Sequence, residues 1–284
     1  MNLFLDTLQS GALVLAAELR PPRAELASAD GMNAWIDTYH AVRALTRRNT
    51  FVFLTDSAVG VPEEDNLRHL IVNLGDDAPL DRVVPFLTSK HPIEYCLAYA
   101  DRAGQHGFRS LVVLGGDRRV GVPRSVEHAW QLREEIRGHT SDLSLGGWAN
   151  PYRHASKQVD YLVDPRFTGE FYLTQVVSHH DPAPVDRFLR EADRRGLAMP
   201  GVFGVFYYRS AKPRTLAQLQ EFIPVPVEAL TREFDSGATP EDVCVRTIET
   251  MMGLGVRRFY ISNLALGRTH ETLSAITERV GASR

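Results

Sequence analysis

A series of eight short apolar runs, most of which end in a polar or charged residue, constrains the fold of this chain more than any other feature. Near-continuous apolar runs of this length are typical of strands buried on both faces, as in parallel sheets. The segments between them are each long enough for a helix, as connections between parallel strands require. The runs occupy residues 12–19, 50–57, 83–89, 110–117, 142–150, 170–177, 201–208 and 257–264.

Eight strand–helix units predict an α/β protein, a single (β/α)8 TIM barrel over residues 1–284, because this fold typically takes about 250 residues. The segment after the second run, residues 58–66, is rich in glycine, proline and acidic residues and predicts a loop. Between the seventh and eighth runs we expect two or three extra helices, over residues 215–222, 226–235 and 239–254. Thr239 suits the N-cap of the last one, and Pro240 its first position.

Composition excludes several classes of protein. Lys and Arg number 32, Asp and Glu 35, and the net charge is -3, so no basic surface for nucleic acid is indicated. Cys96 and Cys244 lack the spacing of a zinc site, and we expect two free thiols in a reducing compartment. Asp6 and Glu18 interrupt the N-terminal apolar stretch, which makes it a poor signal peptide. No segment suits a bilayer; we expect a cytoplasmic protein, with a homo-oligomer left open.

Glu18 is the first candidate for chemistry. In a (β/α)8 barrel the reaction takes place at the C-terminal ends of the strands. Glu18 lies near the end of a run that is otherwise Leu, Val and Ala, so its carboxyl would lie in an enclosed space. Desolvation raises a carboxyl pKa, as a general acid that works near neutrality requires. The alternative is an interior glutamate paired with an arginine such as Arg20 or Arg118.

Asp117 and Gln175 are the next candidates. Asp117 follows two glycines, which let a flat ligand approach the backbone, and its carboxylate can accept two N–H bonds from a heterocycle. The alternative is an aspartate that forms a turn. Gln175 offers both a donor and an acceptor to an amide-like ring edge, unless it is a satisfied interior amide.

Other polar and aromatic residues at strand ends are weaker candidates individually. They are Asp56, Ser57, Thr88 and Asn263, together with Trp148, Tyr207 and Tyr208, which could stack on a flat ring. His179-His180-Asp181 could suggest a metal, but adjacent histidines on an extended chain point in opposite directions. We therefore expect no metal site.

Read together and in order, these strand ends resemble the methylenetetrahydrofolate reductase family over nearly the whole chain. Seven segments carry the resemblance, and none is decisive alone. They are 17–22 (AELRPP, similar to E-x-x-P-P), 53–56 (FLTD, at V-T-Y), 85–89 (PFLTS, similar to P-H-L-T-C), 114–117 (LGGD, similar to L-R/G-G-D), 173–175 (LTQ, similar to I-T-Q), 199–202 (MPGV, similar to V-P-G-I) and 255–260 (GVRRFY, similar to G-V-x-x-F-H-F-Y).

The resemblance implies an oxidoreductase that reduces 5,10-methylenetetrahydrofolate to 5-methyltetrahydrofolate with NADH or NADPH. Glu18 matches the family's general acid, which helps to open the imidazolidine ring to a reactive iminium before hydride reaches the exocyclic carbon. Asp117 and Gln175 match residues that contact the pterin. Tyr208 is a further candidate for substrate binding. Leu264 stands where the family has an arginine, and Arg268 is the candidate to replace that arginine at the glutamate tail.

The resemblance also implies a bound FAD. Thr55, Thr88 and Trp148 would line the isoalloxazine, Arg153 and Lys157 would hold the diphosphate, and Asp56 and Gly116 would complete the cofactor site. Two family flavin contacts are replaced, by Phe86 and Gly115, and the basic helix before I-T-Q is shortened. Direct hydride transfer from NADH without flavin is therefore an alternative. A pterin-dependent methyltransferase and a non-catalytic folate- or flavin-binding barrel are the others.

Overall fold

The eight apolar runs each contain one strand of a closed parallel barrel in the order β1 to β8. The structure, a computed structural model, describes residues 2–22, 28–56, 78–140 and 142–282. The predicted (β/α)8 fold is confirmed. The strands are β1 Val14–Leu19, β2 Val52–Leu54, β3 Val83–Thr88, β4 Ser110–Leu114, β5 Ser144–Ala149, β6 Phe171–Val177, β7 Gly201–Phe206 and β8 Arg258–Ser262. Ser57 and the loop predicted over residues 58–66 lie outside the described residues.

Helices follow or precede the strands as the crossovers require. The helices are α1 Leu3–Gln9, α2 Ser28–Thr46, α3 Ile93–Gln105, α4 Ala129–His139, α5 Ala155–Val163, α6 Ala183–Arg194, α7 Pro213–Gln220, α8 Val227–Asp235, α9 Pro240–Gly253 and α10 Thr269–Ala282. The extra helices predicted between β7 and β8 are α7, α8 and α9. Thr239 caps α9 as expected: its hydroxyl accepts from the Asp242 backbone N–H at 3.2 Å. No helix in the described ranges is long and apolar enough to span a membrane.

Helix α1, which the apolar pattern before β1 does not predict, closes the N-terminal end of the barrel. Phe4 is fully buried, and its ring makes edge contacts with Phe51, Phe53 and Phe171 at centroid distances of 5.0, 5.7 and 5.1 Å. The Asn2 side-chain amide donates to the Arg109 carbonyl at 2.6 Å. It also bonds to the Ser110 and Ser144 hydroxyls, at the starts of β4 and β5. This end of the barrel is therefore sealed.

Inside the barrel, two glycines make room for aromatic rings. The Tyr260 phenol lies where a Cβ on Gly204 would be, and the Phe171 ring lies where a Cβ on Gly146 would be. Together with Val14, Ala16 and their neighbours, these rings form a core inside the barrel that is separate from the larger core between strands and helices. The barrel is thus filled from its N-terminal end up to Tyr260, and space for a ligand is left to the C-terminal end.

Candidate active site at the barrel mouth

Glu18 faces the interior at the C-terminal end of the barrel. Side chains alternate along a strand, and Val14 and Ala16 belong to the inner core, so Glu18 points to the same side one layer higher. Glu18 is only partly exposed. The Ser262 hydroxyl, on neighbouring β8, donates to its Oε1 at 2.6 Å.

The environment of Glu18 favours the protonated acid. Burial raises the pKa of its carboxyl, whereas the hydrogen bond from Ser262 and the charge of Arg20 lower it without cancelling the effect of burial. Arg20 is exposed and forms no ion pair with Glu18 among the described residues. A carboxylic acid of this kind can donate a proton at a pH where an ordinary glutamate is ionised.

Tyr260 forms the floor beneath this carboxyl. Its hydroxyl donates to the Thr174 carbonyl on β6 at 2.6 Å, and the ring is almost fully buried. Burial and the nearby Glu18 both raise the pKa of Tyr260, so the phenol stays neutral. It acts here as a hydrogen-bond donor that ties β8 to β6.

Gln175 lies at an irregularity of β6, where the register with β7 shifts between Leu173 and Val176. The Gln175 side-chain oxygen accepts from the Val176 backbone N–H at 3.0 Å. Its side-chain NH2 donates to no described residue, so a donor remains for a ligand. Gln175 is partly exposed.

Two further candidates lie on the inner side of the barrel wall. Trp148 packs against the inner core and stays partly exposed. Thr55, in phase with the inward-facing Phe53, donates its backbone N–H to the Leu19 carbonyl at 3.0 Å. Both therefore lie at the C-terminal end of the strands, as Glu18 does.

Asp56 and Thr88 are engaged with each other. Asp56 Oδ2 accepts from the Thr88 backbone N–H at 2.7 Å and from its hydroxyl at 2.9 Å. His91 Nε2 lies 2.9 Å from the same oxygen. Thr88 is almost fully buried, so this cluster links β2 to β3 and leaves Thr88 little access to a ligand.

Asp117 lies in an exposed turn after β4. Its Oδ1 accepts from the backbone N–H groups of Arg119 and Val120 at 2.6 and 3.0 Å. These bonds, the Arg119 one above all, lower the pKa of Asp117. Asp117 thus forms a turn through Oδ1, as the alternative interpretation of the sequence expected. Its other oxygen, Oδ2, accepts from no described residue.

The two glycines before Asp117 are covered by an arginine. The Arg124 guanidinium lies where a Cβ on Gly115 would be and donates to the Gly116 carbonyl. A ligand ring can approach this part of the backbone only if Arg124 moves.

The remaining candidates are packed among helices or face solvent. Tyr208 is buried in a satellite core with residues of α7, α8 and α9. Arg268 is 78% exposed and pairs with Glu271 on the following helix. Arg153 and Lys157 are exposed, before and within the first turn of α5.

The expectation that His179 and His180 point in opposite directions is wrong. They lie in a turn after β6, in which the Asp181 N–H bonds to the Ser178 carbonyl. Both Nε2 atoms approach the same Glu233 oxygen, Oε2 on α8, at 3.1 and 2.9 Å. A turn removes the alternation of an extended chain.

Ser262 and Arg124 are the functional candidates that sequence reasoning missed. Asn263 was the polar residue expected to end the eighth run, but its backbone is left-handed (φ 69°), and its side chain donates to the Tyr207 carbonyl. Ser262 lies two residues after Tyr260 on β8, so its side chain also points into the barrel. The alternation of side chains along the strand could have identified it. Nothing in the sequence around Arg124 indicates that its side chain would lie against Gly115 and Gly116.

The fold and this mouth define a class: a (β/α)8 barrel with an enclosed carboxylic acid at the C-terminal ends of its strands. No protein-family model and no curated protein sequence matches the chain. An uncharacterized protein from Clostridium thermocellum that binds two copies of 5-methyl-5,6,7,8-tetrahydrofolic acid has a similar structure. The TM-score is 0.72 at 16% identity, over 99% of this chain and 100% of that one.

Two barrels named for other reactions are less similar. An F420-dependent secondary alcohol dehydrogenase gives a TM-score of 0.56 at 11% identity, over 95% of this chain and 99% of that one. N-acetylneuraminate lyase from Mycoplasma synoviae gives 0.54 at 12% identity, over 96% and 76%. At such identities the likeness establishes the fold alone.

Proposed function

We propose that this protein reduces 5,10-methylenetetrahydrofolate to 5-methyltetrahydrofolate with NAD(P)H, and that Glu18 is its general acid. The observation that carries the proposal is the carboxyl of Glu18: it lies in the mouth of the barrel, is held by Ser262 at 2.6 Å, and has a pKa raised by burial. The tetrahydrofolate bound by the Clostridium thermocellum protein of similar fold adds support.

The reaction needs one proton and one hydride. Glu18 gives its proton to the ring nitrogen that leaves, the C–N bond breaks, and the exocyclic carbon becomes an iminium. Hydride from NAD(P)H then converts this CH2 into a methyl group, and NAD(P)+ is released. General acid catalysis of this kind typically contributes about 10²- to 10⁴-fold in rate.

The pterin would be read by the polar groups that remain at the mouth. The free NH2 of Gln175 and the second carboxylate oxygen of Asp117 match a heterocycle edge that carries both acceptors and N–H donors. Trp148 offers a partly exposed face for stacking. Tyr208 and Arg268 stay weaker proposals, because one is buried among helices and the other faces solvent.

Flavin is a separate question, and the residues present fit it poorly. Thr88 and Asp56 bond to each other, Arg124 covers Gly115 and Gly116, and Phe86 is part of the inner core. Trp148 and Thr55 alone of the expected ring contacts face the mouth. These contacts favour direct hydride transfer from NAD(P)H.

An anaerobic assay with the purified protein tests the proposal. We expect NAD(P)H oxidation that requires methylenetetrahydrofolate and yields 5-methyltetrahydrofolate in equal amount by mass spectrometry. With 4-deuterated NADH, direct transfer places the label in the methyl group, whereas transfer through a reduced flavin loses label to solvent. A visible spectrum of the protein reports any flavin.

Other outcomes identify the alternatives. Methyl or one-carbon transfer to an acceptor without nucleotide oxidation would identify a methyltransferase. Folate binding without any turnover would identify a non-catalytic binding protein. Either result would contradict the reductase.

A further inference from the structure

The mechanism leaves one cluster of metal-ligating side chains unused, at the contact between the β6 loop and the helices inserted before β8. It consists of His179 and His180 after β6 and Glu233 on α8, whose ligand atoms all lie within 4.8 Å of one another. The side chains are 13%, 16% and 6% exposed. We propose that this cluster binds one divalent transition-metal ion, Zn²⁺ in the first place.

The tautomer of His179 argues for a cation. The Thr247 hydroxyl has a single proton, which it donates to the Val243 carbonyl at 3.0 Å. With that proton on the Val243 carbonyl, the hydroxyl accepts the hydrogen bond from His179 Nδ1 at 2.8 Å. In the neutral ring Nε2 then carries a lone pair, and this lone pair faces Glu233 Oε2 at 3.1 Å. Two acceptors at this distance repel each other unless a proton or a metal ion lies between them.

His180 repeats the arrangement. Its Nε2 is buried without a hydrogen-bond partner among the described residues, although it lies 2.9 Å from the same carboxylate oxygen. The two atoms, His180 Nε2 and Glu233 Oε2, are therefore close enough for a hydrogen bond but are not oriented for one. A metal ion accepts a lone pair from each ring without requiring either nitrogen to point at the oxygen.

The spacing fits a small tetrahedral ion. Zn–N and Zn–O bonds of about 2.0–2.1 Å place neighbouring ligand atoms about 3.3 Å apart, close to the 3.1 and 2.9 Å found here. Three protein ligands leave a fourth position for water. Imidazole and carboxylate ligands also match the preferences of Zn²⁺ and its neighbours in the first row.

The surroundings support the same ligands. The Nδ1–H bond to Thr247 orients His179 in the way that hydrogen bonds to ligating histidines usually do. Glu233 lies in the last turn of α8, where a negative charge is unfavourable, and Arg246 binds its other oxygen, Oε1. Oε2 is left as a single-oxygen ligand. A bound ion would tie α8 and α9 to the rim of the barrel.

Metal titration of tag-free, chelator-stripped protein tests the site. We expect one equivalent of Zn²⁺ by competition with a chromophoric chelator, and Co²⁺ should give the visible absorption of a tetrahedral complex. Glu233→Gln and His180→Ala should each lower the affinity at least about 100-fold. Thr247→Val, which removes no proposed ligand but removes the hydrogen bond that orients His179 together with the bond to the Val243 carbonyl, should lower it about 10- to 100-fold.

His106→Ala is the matched control, because His106 is an exposed histidine at the end of α3, and it should bind as the wild type does. Absence of Zn²⁺ and Co²⁺ binding in the wild type would overturn the proposal and leave an imidazole–carboxylate–guanidinium network. Equal affinity in the wild type and in His180→Ala would overturn it as well, because the ion would then lie elsewhere. Neither result depends on the proposed reductase activity.

Discussion

The two ends of the barrel interior differ in the kind of group they contain. At the N-terminal end, the rings of Phe51, Phe53 and Phe171 pack edge to face against Phe4. The Asn2 side chain forms three hydrogen bonds at the starts of β4 and β5. At the C-terminal end, Glu18 receives one hydrogen bond, from Ser262. Burial raises the pKa of its carboxyl and so favours the protonated form. One end contributes to stability, whereas the other holds the carboxylic acid that we propose takes part in the reaction.

This difference makes substitutions at the two ends separable. A change at the N-terminal end should lower the free energy of unfolding and leave the pH profile of the reaction alone. A change at the mouth should alter the pH dependence of the reaction and, where it removes Glu18 itself, the pH dependence of stability as well.

Glu18→Gln should have the largest effect on the reaction. Gln has nearly the same shape but no acidic proton, so we expect kcat to fall about 10²- to 10⁴-fold, with folate binding retained. Turnover and equilibrium folate binding measure the two effects. A variant with wild-type turnover would remove Glu18 as the acid.

The same variant carries a stability signature. The pKa of Glu18 is raised in the folded state, so its stabilising contribution is complete below the pKa of the unfolded chain and is lost as pH rises through the folded pKa. The wild type should therefore lose stability over this window relative to Glu18→Gln, as urea unfolding at several pH values would reveal. Parallel curves for the two proteins would contradict a raised pKa.

Phe4→Ala should have the largest effect on stability. It removes a fully buried ring from the aromatic cluster, and such truncations typically cost about 3–5 kcal/mol. Denaturant unfolding measures the loss. Phe222→Ala is the control, because Phe222 is 74% exposed and its removal should change stability by less than about 0.5 kcal/mol. Equal losses would show that α1 does not close the barrel as described.

The barrel could be predicted from the sequence because strands buried on both faces produce apolar runs without alternation. Helix α1 could not be predicted, because its seven residues are too few for a clear helical pattern. Its position depends on contacts with residues far along the chain, such as Phe171 and Ser144. Glu18 was visible as an acid in a run that is otherwise Leu, Val and Ala. The convergence of His179 and His180 was not, because it depends on a turn and on α8, 54 residues beyond His179.

Asp117→Asn should have a smaller effect, confined to the ligand. Asparagine keeps the oxygen that accepts from Arg119 and Val120, so the turn and its stability should be preserved. Loss of the charge should weaken folate binding by about 10-fold or more, as removal of one charge-assisted hydrogen bond typically does. Calorimetric titration with 5-methyltetrahydrofolate measures it. Unchanged affinity would leave Asp117 with its turn role alone.

Ser262→Ala and Ser144→Ala each remove one serine hydroxyl, at opposite ends of the barrel. We expect these two substitutions to have the smallest effects on activity and stability. The Ser262 hydroxyl donates to Glu18 and lowers the pKa of that acid, so its removal should raise the pKa further. Because the proposed mechanism requires the protonated form, the decline of kcat/KM with rising pH should move to higher pH.

The Ser144 hydroxyl instead accepts from the Asn2 amide at 2.7 Å. Its removal should cost about 1 kcal/mol of stability without any shift of the pH profile, because it has no contact with Glu18. If Ser144→Ala moved the profile as far as Ser262→Ala, the two ends would be coupled through the strands. If Ser262→Ala left it in place, the hydroxyl would not tune the acid, and burial alone would account for the raised pKa.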